Sequence, residues 1–145
     1  MNPWQRSAVI RVLLVDDHDG VRAATRLLLG FEPDMQVIGD APNGLAGIRL
    51  ARELRPDVMV LDLSMPGMDG FDVMRQLKAT KLDTRVVILS GDTAMRAAAL
   101  ACGAASFIAK GSAGAELAAA VRAAFESRAQ RAPIVSIAAS LPNAV

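Results

Sequence analysis

Short apolar runs alternate along this chain with stretches in which apolar residues recur at helical spacing. Ile10 to Val15, Met35 to Gly39, Val58 to Leu61, Val86 to Leu89 and Ala105 to Ala109 are compact, largely apolar runs of strand length. Between them, Val21, Ala24 and Leu28, and then Leu45, Ile48 and Ala51, fall where each set gives a helix one apolar face. Leu117, Val121, Ala124 and Phe125 do the same in the last helix. Five strands alternating with five helices predict an α/β fold of repeated β-α units around a parallel sheet. Asn43 before Gly44 suits a helix cap, and Pro33 and Pro56 punctuate the approaches to the second and third strands. The charged stretch Glu126 to Arg131, followed by Pro133, reads as a helix end and a linker. Alanine is dense from Ala97 to Ala101 and from Ala113 to Ala124, and because it favours helix but fills little space, those two helices are expected to pack closely.

Composition narrows this picture only at its edges. A chain of 145 residues fits one domain with a full core, and 52% hydrophobic residues argue against disorder. Sixteen basic against fifteen acidic residues leave no electrostatic footprint for nucleic acid or an anionic membrane, so neither is expected as a partner of this chain alone. The single Cys102 has no partner for an internal disulfide and reads as a small packed residue in the fourth helix. Neither a secretory leader nor an apolar run of membrane-spanning length is evident, which makes a cytoplasmic protein the expectation.

The chemistry lies at the strand ends. Asp16 and Asp17, Asp62, Ser90 and Lys110 each stand at or just beyond the end of an apolar run, and in a parallel α/β sheet that is where ligands bind. Three carboxylates gathered there repel one another unless a hard cation joins them, and Mg²⁺ prefers oxygen ligands. One of them can then act as a nucleophile toward a phosphoryl group, with the metal and the lysine neutralising its oxygens. Taken singly, an Asp-Asp pair reads more readily as a solvated loop, a lysine after a strand as a solvated end and Phe107 as core. It is their combination in register that favours a site. Because Mg²⁺ prefers oxygen to imidazole nitrogen, His18 reads as a loop residue rather than a ligand.

These motifs resemble the receiver domains of two-component response regulators. The resemblance rests on Leu14-Val15-Asp16-Asp17-His18, on Pro56-Asp57-Val58 leading into Leu61-Asp62-Leu63-Ser64-Met65-Pro66-Gly67-Met68-Asp69-Gly70, on Ile88-Leu89-Ser90-Gly91, and on Gly103-Ala104 followed by Phe107 and Lys110. It implies a doubly wound five-stranded parallel sheet with helices on both faces, the flavodoxin-like receiver fold. It also implies a signalling phosphoacceptor that resets by self-dephosphorylation rather than an enzyme with a substrate of its own. By the resemblance, Asp62 accepts the phosphoryl group from a histidine kinase or phosphotransfer protein. Asp17 binds Mg²⁺ directly and Asp16 through water, with Asp62 and the Ser64 carbonyl completing the protein ligands. Lys110 pairs with the phosphoryl oxygens, and Ser90 donates its hydroxyl while Phe107 turns inward to fill the vacated space. Ser64 and Asp92 flank the phosphoryl group and set its lifetime, although Asp92 also suits a helix cap. His18 and the absence of proline after Lys110 resemble the NarL/FixJ subfamily, and without proline the Lys110–Gly111 peptide is expected to be trans.

The organisation expected is an extension over residues 1–9, a receiver over 10–127 and a tail or linker over 128–145. Met1 with the nonfamily residues Asn2 to Ala8 reads as a natural amino terminus. No recognition helix follows Phe125, which leaves open a receiver module cut from a longer helix-turn-helix regulator. Ile134, Val135 and Ile137 form an apolar patch expected to dock on a receiver face or on a second copy in a homodimer. A scaffold that no longer takes phosphate and a phosphatase are the other classes. A nucleotide binder is disfavoured, since neither a Walker loop nor a Gly-x-Gly-x-x-Gly turn follows the first strand.

Overall fold

Five parallel strands form the centre of the computed structural model, which describes residues 8–112 and 114–140, with side chains described as far as Arg128. The strands β1 (Ile10–Val15), β2 (Met35–Ala41), β3 (Val58–Leu61), β4 (Arg85–Ser90) and β5 (Ser106–Ala109) lie in the order β2-β1-β3-β4-β5. Alternate residues of the strands face opposite ways. Leu13, Val15, Met59, Leu61 and Ile88 pack with α2 (Gly44–Leu54), α3 (Gly70–Ala79) and α4 (Arg96–Ala101). Val12, Leu14, Val58, Val60, Val87 and Leu89 pack with α1 (Asp19–Gly30) and α5 (Gly114–Ser140). The parallel sheet is the one that the alternation of elements predicts, and its doubly wound form is the one that the resemblance implies. Burying each of these aliphatic side chains contributes about 1.5–3 kcal/mol before entropy is subtracted.

Several boundaries and faces differ from the sequence reading. The second strand runs two residues further, to Ala41, with a bulge where the register shifts between Val12 and Leu13. The fourth strand spans Arg85–Ser90, and the fifth begins at Ser106 rather than Ala105. In α1 the buried residues are Thr25 and Leu29, one position on from Ala24 and Leu28, which are exposed. A polar residue can occupy that face because the Thr25 hydroxyl donates to the Val21 carbonyl at 2.8 Å. In α2 the buried face is Gly44, Gly47, Ile48 and Ala51, and Leu45 points outward. Glycine lets this helix lie close to the sheet: a Cβ on Gly47 would stand 2.8 Å from Val15 Cγ2. The Asn43 cap holds, its side chain accepting from the Ala46 amide at 2.8 Å.

The fourth helix is short and is entered through a 3₁₀ turn over Thr93–Met95. Ala99 is its one buried residue, so most of its alanines face outward instead of packing closely. Cys102 is exposed just past its end, which corrects the expectation of a packed residue: the chain turns there and Ala104 takes the inward position. The last helix does not stop between Glu126 and Arg131 but continues through Pro133 to Ser140. Proline in a helix interior removes one hydrogen bond and crowds the preceding turn, yet the helix runs through it. The side chains of Ile134, Val135 and Ile137, expected to dock, lie outside the described residues, as do residues 1–7 of the amino-terminal extension.

Two arginines fasten α5 to the loops. Arg122 bonds Asp34 at 2.7 Å and Glu32 at 2.5 Å, which holds the Asp34 carboxyl below its usual range. Arg128 reaches Asp57 at 2.6 Å, beside the start of β3.

Gly70 sets the distance between α3 and the end of β3, since a Cβ there would stand 2.6 Å from the Asp62 carbonyl oxygen and 2.8 Å from Leu63 Cα. Backbone cannot give way cheaply, so Gly70→Ala is expected to lower stability by about 1–3 kcal/mol in urea unfolding. Gly20→Ala, where nothing lies within 4 Å, should leave stability unchanged or raise it by up to about 1 kcal/mol. Equal effects of the two substitutions would contradict this packing.

Candidate functional site

The sheet order makes a crevice where β1 lies between β2 and β3, because the chain leaves β1 toward one side and reaches β3 on the other. Asp16 and Asp17 follow the last residue of β1, and Asp62 follows the last residue of β3. Backbone bonds fix these ends: the Asp16 amide donates to the Ala41 carbonyl at 3.1 Å and the Asp62 amide to the Val15 carbonyl at 2.9 Å. Ser90 ends β4, fully buried, and the Lys110 amide donates to its carbonyl at 2.9 Å, so the ladder itself brings Lys110 to the same edge.

Lys110 Nζ stands 3.2 Å from Asp16 Oδ2 and 3.2 Å from Asp62 Oδ2. Asp62 is 2% exposed. Its Oδ1 accepts from the Ser64 amide at 3.2 Å, while its Oδ2 has the Lys110 ammonium as an ion-pair partner and otherwise accepts no hydrogen bond among the described residues. Asp17 Oδ1 is likewise buried without a hydrogen bond. Buried acceptors of this kind are costly unless a ligand satisfies them. Burial pushes the Asp62 carboxyl above the usual carboxylate range; Asp16 pushes the same way, and the Ser64 amide and Lys110 oppose it.

Two side chains take part that sequence reasoning did not place here. His18 is the N-cap residue of α1, and its amide donates to Asp16 Oδ1 at 2.8 Å. Its ring does not behave as a plain loop side chain: Nδ1 lies 3.0 Å from Asp17 Oδ1, 3.1 Å from Asp16 Oδ1 and 3.6 Å from Asp62 Oδ2. The reading of His18 as a bystander followed from considering oxygen ligands alone. Arg22 braces the acidic loop from below. It donates to the Asp16 carbonyl at 2.7 Å, to Asp40 on β2 at 3.2 Å and to Asp19 at 2.8 Å. The spacing of Arg22, six residues past Asp16 and on the first turn of the helix, is a signal that could have found it.

The remaining candidates stand as follows. Ser64 is exposed beside Asp62. Asp92 is exposed and acts as a cap, its carboxylate accepting from the Ala94 amide at 3.1 Å while its own amide donates to Ser90 Oγ at 3.2 Å. Phe107 lies inside, 3% exposed. The Arg96 guanidinium sits 4.9 Å from the centre of that ring and donates to the Phe107 carbonyl at 3.2 Å. No cis peptide occurs among the described residues, as expected without proline after Lys110, and Gly111 takes a φ of 90° that suits glycine.

The family model for the response regulator receiver domain matches residues 12–122. This chain belongs to that family. The receiver is 42% identical over 118 residues to the transcriptional regulatory protein LiaR of Bacillus subtilis, covering 80% of this chain and 56% of that protein. It is 37% identical over 79 residues to the nitrate/nitrite response regulator NarL of Escherichia coli K12, covering 54% and 37%. Among solved structures, the receiver domain of NarL from Mycobacterium tuberculosis superposes with a TM-score of 0.73 at 34% identity, over 83% of this chain and 97% of that one. A LuxR-family response regulator from Aurantimonas gives 0.78 at 32% identity, over 83% and 88%. The chain spans about half the length of LiaR and a smaller share of NarL. Receiver domains bind Mg²⁺ at an acidic pocket, and the oxygen donors gathered here, two of them unsatisfied, fit such an ion. No helix among the described residues is long and apolar enough to cross a membrane.

A carboxyl whose pKa is raised by folding binds its proton more tightly in the native state, so its contribution makes stability fall as pH rises through and above the usual Asp value of 3.8. In metal-free buffer at pH 7, Asp62→Asn is therefore expected to raise stability, a gain that shrinks as pH is lowered toward that value. Urea unfolding of both proteins between pH 4 and pH 7 checks this. A destabilised variant at pH 7 would contradict the electrostatics described.

Proposed function

We propose that this receiver is a phosphorylation-controlled switch that takes a phosphoryl group on Asp62 from a histidine kinase or phosphotransfer protein in a Mg²⁺-dependent reaction. The observation that carries the reading is the buried Asp62 carboxylate, with one oxygen free of hydrogen bonds, set beside Asp16, Asp17 and the Lys110 ammonium. Asp17 would bind the ion directly and Asp16 through water, with Asp62 and the Ser64 carbonyl completing the set. When bound, the ion neutralises charge on the oxygens of the transferring group. An Asp62 oxygen forms the new bond to phosphorus as the bond from phosphorus to the donor's imidazole nitrogen breaks, and that nitrogen leaves as neutral imidazole after taking a proton. Lys110 then shifts its pairing from Asp62 to the phosphoryl oxygens.

Ser90 is the element that reads the modification. Its hydroxyl, now accepting from the Asp92 amide, can rotate to donate to a phosphoryl oxygen and draw the β4–α4 loop inward. Phe107 and the Arg96 guanidinium above it lie on the path by which that shift reaches the α4–β5 surface. Hydrolysis of the acyl phosphate resets the domain, with Ser64 leaving room for water and Asp92 standing over the same loop. The kinase partner implies a cytoplasmic protein.

Intact-mass measurement after incubation with acetyl phosphate tests the reading. Wild type with Mg²⁺ is expected to gain one phosphoryl group, and Asp62→Asn or chelation should abolish the gain. Ser90→Ala should still be phosphorylated while its amide chemical-shift response around Phe107 to beryllofluoride falls by more than half. Asp92→Asn, which keeps the cap, should change the dephosphorylation rate if the carboxylate orients water. Equal modification of wild type and Asp62→Asn would remove Asp62 as the acceptor, and no modification of wild type would favour a scaffold.

A further inference from the structure

The His18 imidazole stands where a cation would be expected. Its Nδ1 is 3.0 Å from Asp17 Oδ1 and 3.1 Å from Asp16 Oδ1. Two donors adjacent on an octahedral ion with bonds of about 2.1 Å are separated by about 3.0 Å, so these spacings are those of ligands sharing one centre. One donor atom from each of Asp16, Asp17, His18 and Asp62 can be chosen so that all lie within 4.8 Å of one another. Of the oxygens that the ring faces, Asp17 Oδ1 accepts no hydrogen bond among the described residues, while Asp16 Oδ1 takes the His18 amide and Asp62 Oδ2 pairs with Lys110 at 3.2 Å. Lys110 Nζ also lies 3.4 Å from His18 Nδ1, so the ring nitrogen and the ammonium face the same carboxylates. The histidine side chain is 57% exposed, so it can adjust its torsions without disturbing the core. Its backbone, by contrast, is fixed by the bond from its amide to Asp16 and by its place as the N-cap of α1.

We propose that His18 is a nitrogen ligand that tunes the acidic site toward first-row transition dications, Mn²⁺ and the ions after it, at the expense of Mg²⁺. The inference rests on the reading of this pocket as a cation site and specifies which cations it selects. An all-oxygen site suits a hard ion, whereas imidazole adds a donor that transition ions bind well and Mg²⁺ binds poorly. Mg²⁺ entering the pocket displaces the ring toward solvent. A transition ion keeps it.

His18 is the only histidine in the chain, which makes the test direct. The tag-free full chain, loaded with one equivalent of Mn²⁺, is measured by electron spin-echo envelope modulation, which detects nitrogen bound directly to the ion. Wild type is expected to show the imidazole ¹⁴N modulation and His18→Ala to lack it. In calorimetric titrations, His18→Ala should bind Mn²⁺ about tenfold more weakly while its Mg²⁺ affinity changes less than twofold. Bound Mn²⁺ without nitrogen modulation in wild type would overturn the role of His18 and leave the acidic cation site standing. Failure of wild type to bind either ion would overturn both.

Discussion

Three carboxylates gather at the end of this sheet, two of them, Asp16 and Asp62, sharing the Lys110 ammonium, and much of the local architecture follows from holding them there. Asp16, Asp17 and Asp62 are brought together by the parallel pairing of β1 and β3, whose registers place Val15 opposite Leu61. Lys110 opposes the repulsion among them, and burial of Asp62 strengthens every charge interaction at the site. The backbone must therefore be stiff. Arg22 ties the Asp16 carbonyl to Asp40 on the edge strand, the Ser64 amide orients Asp62, and Gly70 lets α3 press against the strand end without room to retreat. The fold thus holds these carboxylates in tension, which a bound cation would relieve.

That tension connects the pocket to the outer surface. Ser90 is buried at the end of β4, yet its hydroxyl meets the amide of Asp92, the residue that caps the 3₁₀ turn leading into α4. The short fourth helix has one buried residue and is held on its far side by Arg96, which both covers the Phe107 ring and bonds its carbonyl. On the opposite face, α5 is anchored by Arg122 and Arg128 to loops at the other end of the sheet. On the proposed function, a charge change at Asp62 would meet a lightly anchored element on the α4 side and a firmly anchored one on the α5 side, which would direct the response toward α4.

The strands and the acidic pocket were legible because their signals are local. Apolar runs mark buried parallel strands, and residues at the strand ends converge whatever the details of the helices. The helix faces were harder. Thr25 hides its polarity in a bond to its own helix, and Gly44 and Gly47 carry no hydrophobic signal although they set how closely α2 approaches. Cys102 and the run of alanines before it are apolar in composition but sit on a helix too short to bury them. The end of α5 is not legible because Pro133 reads as a breaker, whereas the helix continues to Ser140. His18 and Arg22 were missed for another reason: their roles depend on where a ring and a guanidinium lie in space, and residue type alone pointed elsewhere.

The central claim is that the gathered carboxylates await a divalent cation, and stability linkage measures this most directly. Urea unfolding of the wild-type chain across a Mg²⁺ titration should show stability rising with the logarithm of ion concentration, by about 2.7 kcal/mol at one hundred times the dissociation constant. In Asp17→Asn the same titration should give a gain well below half of that. A wild-type stability that does not respond to Mg²⁺, or an equal response in the variant, would contradict the account.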